Sequence, residues 1–351
     1  MAFLQTKSNT RFTVSQATAS NERIAAALPE GLVAVFVGGT SGVGEYTVKA
    51  FAKYAPSPRV YIIGRSQEAA DPIIQECQQL NSGGQFEFIQ ADVSLLNTID
   101  DVCRQIRSRE TAINIPFQSQ GTMGFDKKTA EGLPLAFGIA THGRMRFILN
   151  LLPLLQKAKS LRRVVNVGAA SYEGAIDVDN VPGLGFPLTK WRNQLASVQT
   201  LLLEEAARRA PDVAFVLTCP GVVKSGIMRD IAPSLGMSIM LAVTKLMAPL
   251  IETSPDECAE RHVFFATSAR YPASQNGPGA AGVALDGSMA VARGSDGRDG
   301  SGVYTTDQKG ASSSPKVESV LAKFRKDGTA GKVWDFVVAD FVRITGAEVA
   351  P

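Results

Sequence analysis

From residue 32 the chain alternates short apolar runs with longer amphipathic stretches, and few folds accept that order. A run that is apolar on both faces must be covered from both sides, which a parallel strand between two helix layers achieves. The runs are 32–37 (LVAVFV), 60–64 (VYIIG), 86–90 (FEFIQ), 113–117 (INIPF), 163–168 (RVVNVG) and 213–218 (VAFVLT). Helical spacing marks 43–54, 70–80, 95–108, 134–157 and 194–209; in the last, Leu195, Val198, Leu202 and Ala206 share one face. The pattern predicts an α/β fold, a doubly wound parallel sheet with helices on both faces.

The core so defined spans 31–270. Residues 1–30 form a polar extension that wraps the core or is partly mobile, and 271–351 form a C-terminal extension packing on the core. In the latter, glycines, serines and aspartates up to residue 310 read as loop, followed by two terminal helices. The apolar 235–251 stretch, broken by Ser238, Lys245 and Pro249, sits in a segment near 226–262 that suits a substrate lobe better than a membrane span. No transmembrane span is expected.

A net charge of +3 without a basic block gives no footprint for nucleic acid. The four cysteines, Cys77, Cys103, Cys219 and Cys258, show no paired spacing, and the two histidines, His142 and His262, lie far apart. Neither a disulfide framework nor a metal site is expected, and a reducing, cytoplasmic compartment is. The first sixteen residues lack the apolar core of a secretory signal.

The first strand runs into Gly38, Thr40, Ser41, Gly42, Val43 and Gly44, then a helix. Glycines there permit a sharp turn and close approach of backbone to a pyrophosphate, and the helix start favours the anion. The spacing G-x-x-x-G-x-G resembles that of the short-chain dehydrogenase/reductase family, a Rossmann-type fold. The resemblance covers roughly 31–270. It implies that Asp92 and Val93, after the third strand, contact adenine and that Gly121 is what remains of the family's N-A-G. It likewise places Pro220, Gly221 and Ser225 near the nicotinamide half. Arg65 stands where an acidic residue would accept the ribose hydroxyl of NAD; an arginine can pair with a 2′-phosphate, which points to NADP(H). The tail, through GSGVYTTD, looks like a subgroup of fungal secondary-metabolism members.

The family's proton relay is a serine with Y-x-x-x-K. Four residues after the six tyrosines stand Ala50, Pro58, Arg65, Ile176, Gln275 and Gln308, so no such motif exists. The serine position falls on Ala169, the tyrosine near Trp191 or Arg192, and the lysine near Leu195 or Ala196. General acid catalysis supplies roughly 10²- to 10⁴-fold, so an ordinary ketone reductase is hard to sustain.

Four residues are candidate replacements. His142 and Arg144 lie on the helix whose middle faces the cleft in the family, with a core histidine and a structural ion pair as the competing roles. Ser171 and Tyr172 follow Ala169 and carry hydroxyls at shifted positions. Asp177 and Asp179 suit a cationic amine or a solvated loop, Trp191 a planar substrate, and Cys219 a buried structural role. The resemblance thus implies an NADP(H)-binding enzyme of natural-product biosynthesis that reduces, or by redox assistance cyclises or rearranges, a hydrophobic small molecule. A non-redox cyclase or isomerase and a nucleotide-binding regulatory pseudoenzyme are the alternatives. The family often pairs through the helices after strands four and five, so a homodimer stays open.

Overall fold

A computed structural model describes residues 11–229, 252–275 and 282–350. The apolar 235–251 stretch lies outside them. Seven parallel strands are ordered β3-β2-β1-β4-β5-β6-β7: β1 Val33–Val37, β2 Arg59–Gly64, β3 Gln85–Gln90, β4 Ile115–Gln118, β5 Arg163–Val167, β6 Ala214–Thr218 and β7 Val303–Thr306. The direction of winding reverses between β1 and β4, which opens a crevice at the carboxyl ends of those strands.

Each apolar run became a strand because its two faces meet two separate cores. In β1, Val33, Val35 and Val37 join one core, while Ala34 and Phe36 join the other. The first core is roofed by α5 (Leu96–Arg109), α7 (Arg144–Lys157) and α8 (Leu188–Arg209), the second by α3 (Gly42–Tyr54) and α4 (Gln67–Leu80). The polar start contributes α1 (Val14–Asn21) and α2 (Ile24–Ala27); α1 opens with a capping box in which Thr13 and Gln16 satisfy each other's backbone donors.

Three features depart from the sequence reading. The seventh strand, β7, lies inside the glycine-rich stretch read as loop, and its four residues are all buried beside β6. Residues 255–262, assigned to the substrate lobe, lie in α9 (Pro255–Thr267), which packs on α3 as part of the core. The single helix expected over 134–157 is divided into α6 (Leu135–Gly138), a π turn (Ile139–Gly143) and α7.

The chain closes with α10 (Pro315–Lys326) and α11 (Thr329–Thr345), the latter lying on α8 and α5. It is latched by Arg146, a fully buried residue whose guanidinium holds both carboxylate oxygens of Asp100 at 2.6 Å and also donates to the carbonyls of Ala347 and Glu348. Among the described residues no helix is long and apolar enough to cross a membrane.

Candidate active site

The glycine loop after β1 is packed too tightly for side chains. A Cβ on Gly44 would lie 2.3 Å from the Gly38 carbonyl oxygen and 2.5 Å from Ser119 Oγ, and one on Gly38, at φ +80°, would lie 2.8 Å from the Gln120 backbone nitrogen. Gly42 has φ +57° and would strike Ser225 Cβ at 2.5 Å. The loop is thereby clamped between the turn after β4 and the segment after β6, and Tyr46 on α3 secures that segment through a 3.0 Å bond to the Lys224 carbonyl. Ser41 occupies the N-cap of α3 but makes no capping bond, so the helix start keeps backbone N–H groups for an anion.

The other expected cofactor contacts gather around the same edge. Thr40 packs against Gly64, leaving Arg65 next in the chain, exposed, with no ion-pair partner among the described residues. Asp92 is exposed too; its Oδ1 accepts from Ser94 N at 3.0 Å, the turn-capping role that competes with adenine contact. Val93 turns its carbonyl towards Gly143. A Cβ on Gly121 would meet only Ile227, at 3.8 Å, so this face is open. Pro220 accepts from Thr253 Oγ1, and Gly221 (φ +73°) is covered by Gln308 beyond β7. All of these positions sit at strand carboxyl ends, where ligands of open α/β sheets bind.

The four catalytic candidates are not brought together. His142 is 1 % exposed; Nδ1 lies 3.0 Å from Thr141 Oγ1 and Nε2 3.0 Å from Asp340 Oδ2 on α11, and Phe137, Phe336 and Phe341 surround the ring. Both nitrogens are engaged, so this histidine joins the sheet's roof to the last helix rather than offering a free proton carrier to the crevice. Arg144 points the other way. Its Nη2 donates to the Gln120 carbonyl at 2.7 Å, at the carboxyl end of β4, while Nε and Nη1 are buried without partners among the described residues. Burial pushes its guanidinium down to about 9, which leaves it charged at neutral pH.

Ser171 and Tyr172 stand in the loop after β5. Ser171 has φ +69°, a left-handed conformation uncommon outside glycine, held by its N–H bond to Thr305 Oγ1 at 3.1 Å; its own hydroxyl is buried and unpartnered among the described residues. Tyr172 is exposed, with the Arg192 guanidinium 3.7 Å above its ring.

The short chain dehydrogenase family model matches residues 32–183. Oxidoreductase AN1596 from Emericella nidulans is 37 % identical, over 88 % of this chain and 92 % of its own length. The chain belongs to the short-chain dehydrogenase/reductase family. Oxidoreductase andH from Emericella variicolor is 31 % identical across 95 % of this chain and 98 % of its own. Among solved structures, YwfH, described as an NADPH-dependent reductase involved in bacilysin biosynthesis, superposes with a TM-score of 0.52 at 15 % identity, covering 68 % of this chain and 92 % of that one. At that identity the likeness speaks for the fold.

The residues expected at the relay positions make packing and hydrogen-bond contacts of their own. Trp191 donates from Nε1 to the Pro182 carbonyl and packs edge-on against Phe125, Arg192 stacks on Tyr172, and Leu195 and Ala196 are buried in the α8 interface. Gln118 bridges the Arg144 carbonyl and Asn166 Oδ1, while Gln199 on α8 donates to the Ala140 carbonyl at 2.8 Å. The sequence reading missed Gln199 and also Glu173, a buried carboxyl two residues past Ser171. Nothing in a linear sequence marks an acid in a polar loop as buried.

Proposed function

We propose that the protein is an NADP(H)-dependent oxidoreductase acting on a hydrophobic small molecule, without the family's usual serine-tyrosine-lysine relay. The observation that carries the reading is the closed glycine cradle around Gly44 beside an exposed Arg65 that has no ion-pair partner among the described residues. The residues present fit the cofactor: Gly38, Ser41, Gly42, Val43 and Gly44 would face its pyrophosphate, Arg65 its 2′-phosphate, and Gly121, Pro220 and Ser225 its far half. When bound, it would supply a hydride. The YwfH description, an NADPH-dependent reductase, supports the same cofactor.

A groove of about 310 Å³ between the loops after β4 and β5 supports an apolar substrate; Phe125, Phe137, Leu184, Phe186, Leu188 and Trp191 line it. It opens at the first turn of α8, where the tyrosine of an ordinary member is expected. Arg144 stands under the β4 turn as a fixed positive charge for an anionic or strongly polarised group. The involvement of YwfH in bacilysin biosynthesis and the fungal origin of the similar oxidoreductases support a natural-product intermediate as substrate. All four cysteines are free thiols, in keeping with a cytoplasmic location.

The test is titration of NADPH and NADH against tryptophan fluorescence for the wild type and Arg65→Ala. Loss of a charge-assisted bond of about 1.5–3 kcal/mol lowers NADPH affinity about 10- to 100-fold and spares NADH. Absence of NADPH binding by the wild type at submillimolar concentration overturns the assignment.

A further inference from the structure

Arg144 opens α7 directly after the π turn, and its contacts close a ring of hydrogen bonds with the end of β4. Its Nη2 donates to the Gln120 carbonyl at 2.7 Å, Gln120 Nε2 donates to Gln118 Oε1 at 3.1 Å, and Gln118 Nε2 donates back to the Arg144 carbonyl at 3.2 Å. All three residues are buried. Ser119, between the two glutamines, reaches the glycine loop instead. Its N–H donates to the Val37 carbonyl at 2.9 Å, and its hydroxyl, with one proton to give, lies 3.3 Å from that carbonyl and 3.2 Å from the Gly38 carbonyl.

The turn gripped by this ring is also the wall against which the glycines fit. A Cβ on Gly38 would strike Gln120 N, and one on Gly44 would strike Ser119 Oγ, so a shift of the turn reaches the loop without slack. Stability does not account for the arginine. Its Nε and Nη1 are buried with no partner among the described residues, and burial alone acts on its charge, with no carboxylate to offset it. A cation enclosed in that way costs folding free energy. What it provides is local: a charge-assisted bond, roughly twice as strong as a neutral one, on one carbonyl of the turn.

We propose that Arg144 is a positioning residue for the cofactor's pyrophosphate: it holds the 118–120 turn against the glycine loop and so keeps the backbone N–H groups at the start of α3 aimed at the anion. The inference rests on the reading of the chain as NADP(H)-binding. The guanidinium acts through Gln120 and Ser119, and no contact between Arg144 and the phosphates is required. Its effect is therefore confined to ligands that carry a phosphate for the loop.

The test compares the full chain with Arg144→Met, which keeps an unbranched side chain and removes its donors. NADPH and adenosine 2′,5′-bisphosphate are titrated by tryptophan fluorescence, and adenosine 2′-monophosphate, which has the phosphate expected at Arg65 but none for the glycine loop, by saturation-transfer NMR. The variant binds the first two about 10-fold more weakly, binds the monophosphate as the wild type does, and unfolds in urea at no lower a midpoint. Equal weakening of all three ligands, undiminished NADPH affinity, or a midpoint that falls together with affinity overturns the proposal. Hydrogen–deuterium exchange of the ligand-free chains reads the mechanical link directly: peptides covering 38–44 and 119–121 exchange faster in the variant, and unchanged exchange there refutes the link whether or not a cofactor binds. Gln118→Met opens the ring with the charge in place, serves if Arg144→Met does not fold, and gives the same ligand and exchange pattern. Failure of the wild type to bind NADPH removes the cofactor reading, whereas wild-type binding that the variant retains in full removes this inference alone.

Discussion

Arg146 and Asp100 form a two-pronged ion pair inside the protein, Nε and Nη2 each 2.6 Å from a carboxylate oxygen, and neither side chain is more than 6 % exposed. Asn150 adds a 2.8 Å bond to Asp100 Oδ1 and accepts from the Ala350 backbone. Arg146→Met leaves Asp100 charged and unpaired in the core, which costs about 3–5 kcal/mol. Urea denaturation checks this through its midpoint, and Arg146→Met combined with Asp100→Leu recovers most of the loss. A double variant as unstable as the single one contradicts the pairing argument.

The glycine cradle yields a second prediction. Gly44→Ala places a methyl group 2.3 Å from backbone, where no flexible side chain can yield, so the loop after β1 must move. Stability falls by about 1–3 kcal/mol, and NADPH affinity falls with it. Gly121→Ala, at an open position, leaves stability within about 0.5 kcal/mol; calorimetry of both variants makes the comparison.

His262 sets a pH dependence. It is fully enclosed, with Nδ1 2.7 Å from the Cys258 carbonyl and Nε2 3.2 Å from Thr218 Oγ1. A carbonyl only accepts, so Nδ1 carries the proton and Nε2 accepts from the threonine. Burial pushes the imidazolium down to about 4 from 6.5. The unfolded chain therefore binds the proton first as pH falls, and stability drops between about 6.5 and 4, by up to about 3 kcal/mol. Chemical denaturation at pH 7, 5.5 and 4.5 reads this slope, which His262→Gln flattens; an unchanged slope in the variant dismisses the assignment.

The helices after β4 and β5 bear on self-association. Every α7 residue from Arg144 to Leu152 is buried by the chain itself, and α11 lies along α8. The full chain should run as a monomer in light scattering. Truncation after Gly328 removes Val333, Trp334, Val337 and Phe341 from the core and leaves an apolar face that self-associates. A stable dimer of the intact chain counts against this.

How much of this was legible beforehand depends on the kind of signal. The strands up to β6 and the glycine cradle were readable because periodicity and glycine spacing are local properties that packing then reinforces. The direction of His142 was not. The π turn adds a residue to one turn and rotates the remainder of the helix by roughly 100° relative to a continuous α-helix, a change that a 3.6-residue pattern does not foresee. Strand β7 was hidden by its length, four residues among glycines and serines, and by being paired only through distant partners. Glu173 was hidden because its burial is created by Thr200 and Thr305, far away in the chain.

That late strand also dictates the order in which the protein can be made. β6 ends at Thr218, whereas the neighbour that covers its outer edge begins at Val303. A nascent chain therefore carries a largely apolar, unpaired strand edge until Val303 and the residues after it have left the ribosome. Such an edge is a template for pairing with other chains. Synthesis halted between these two strands should give insoluble product, and the risk of misassembly is concentrated in the interval from Thr218 to Val303.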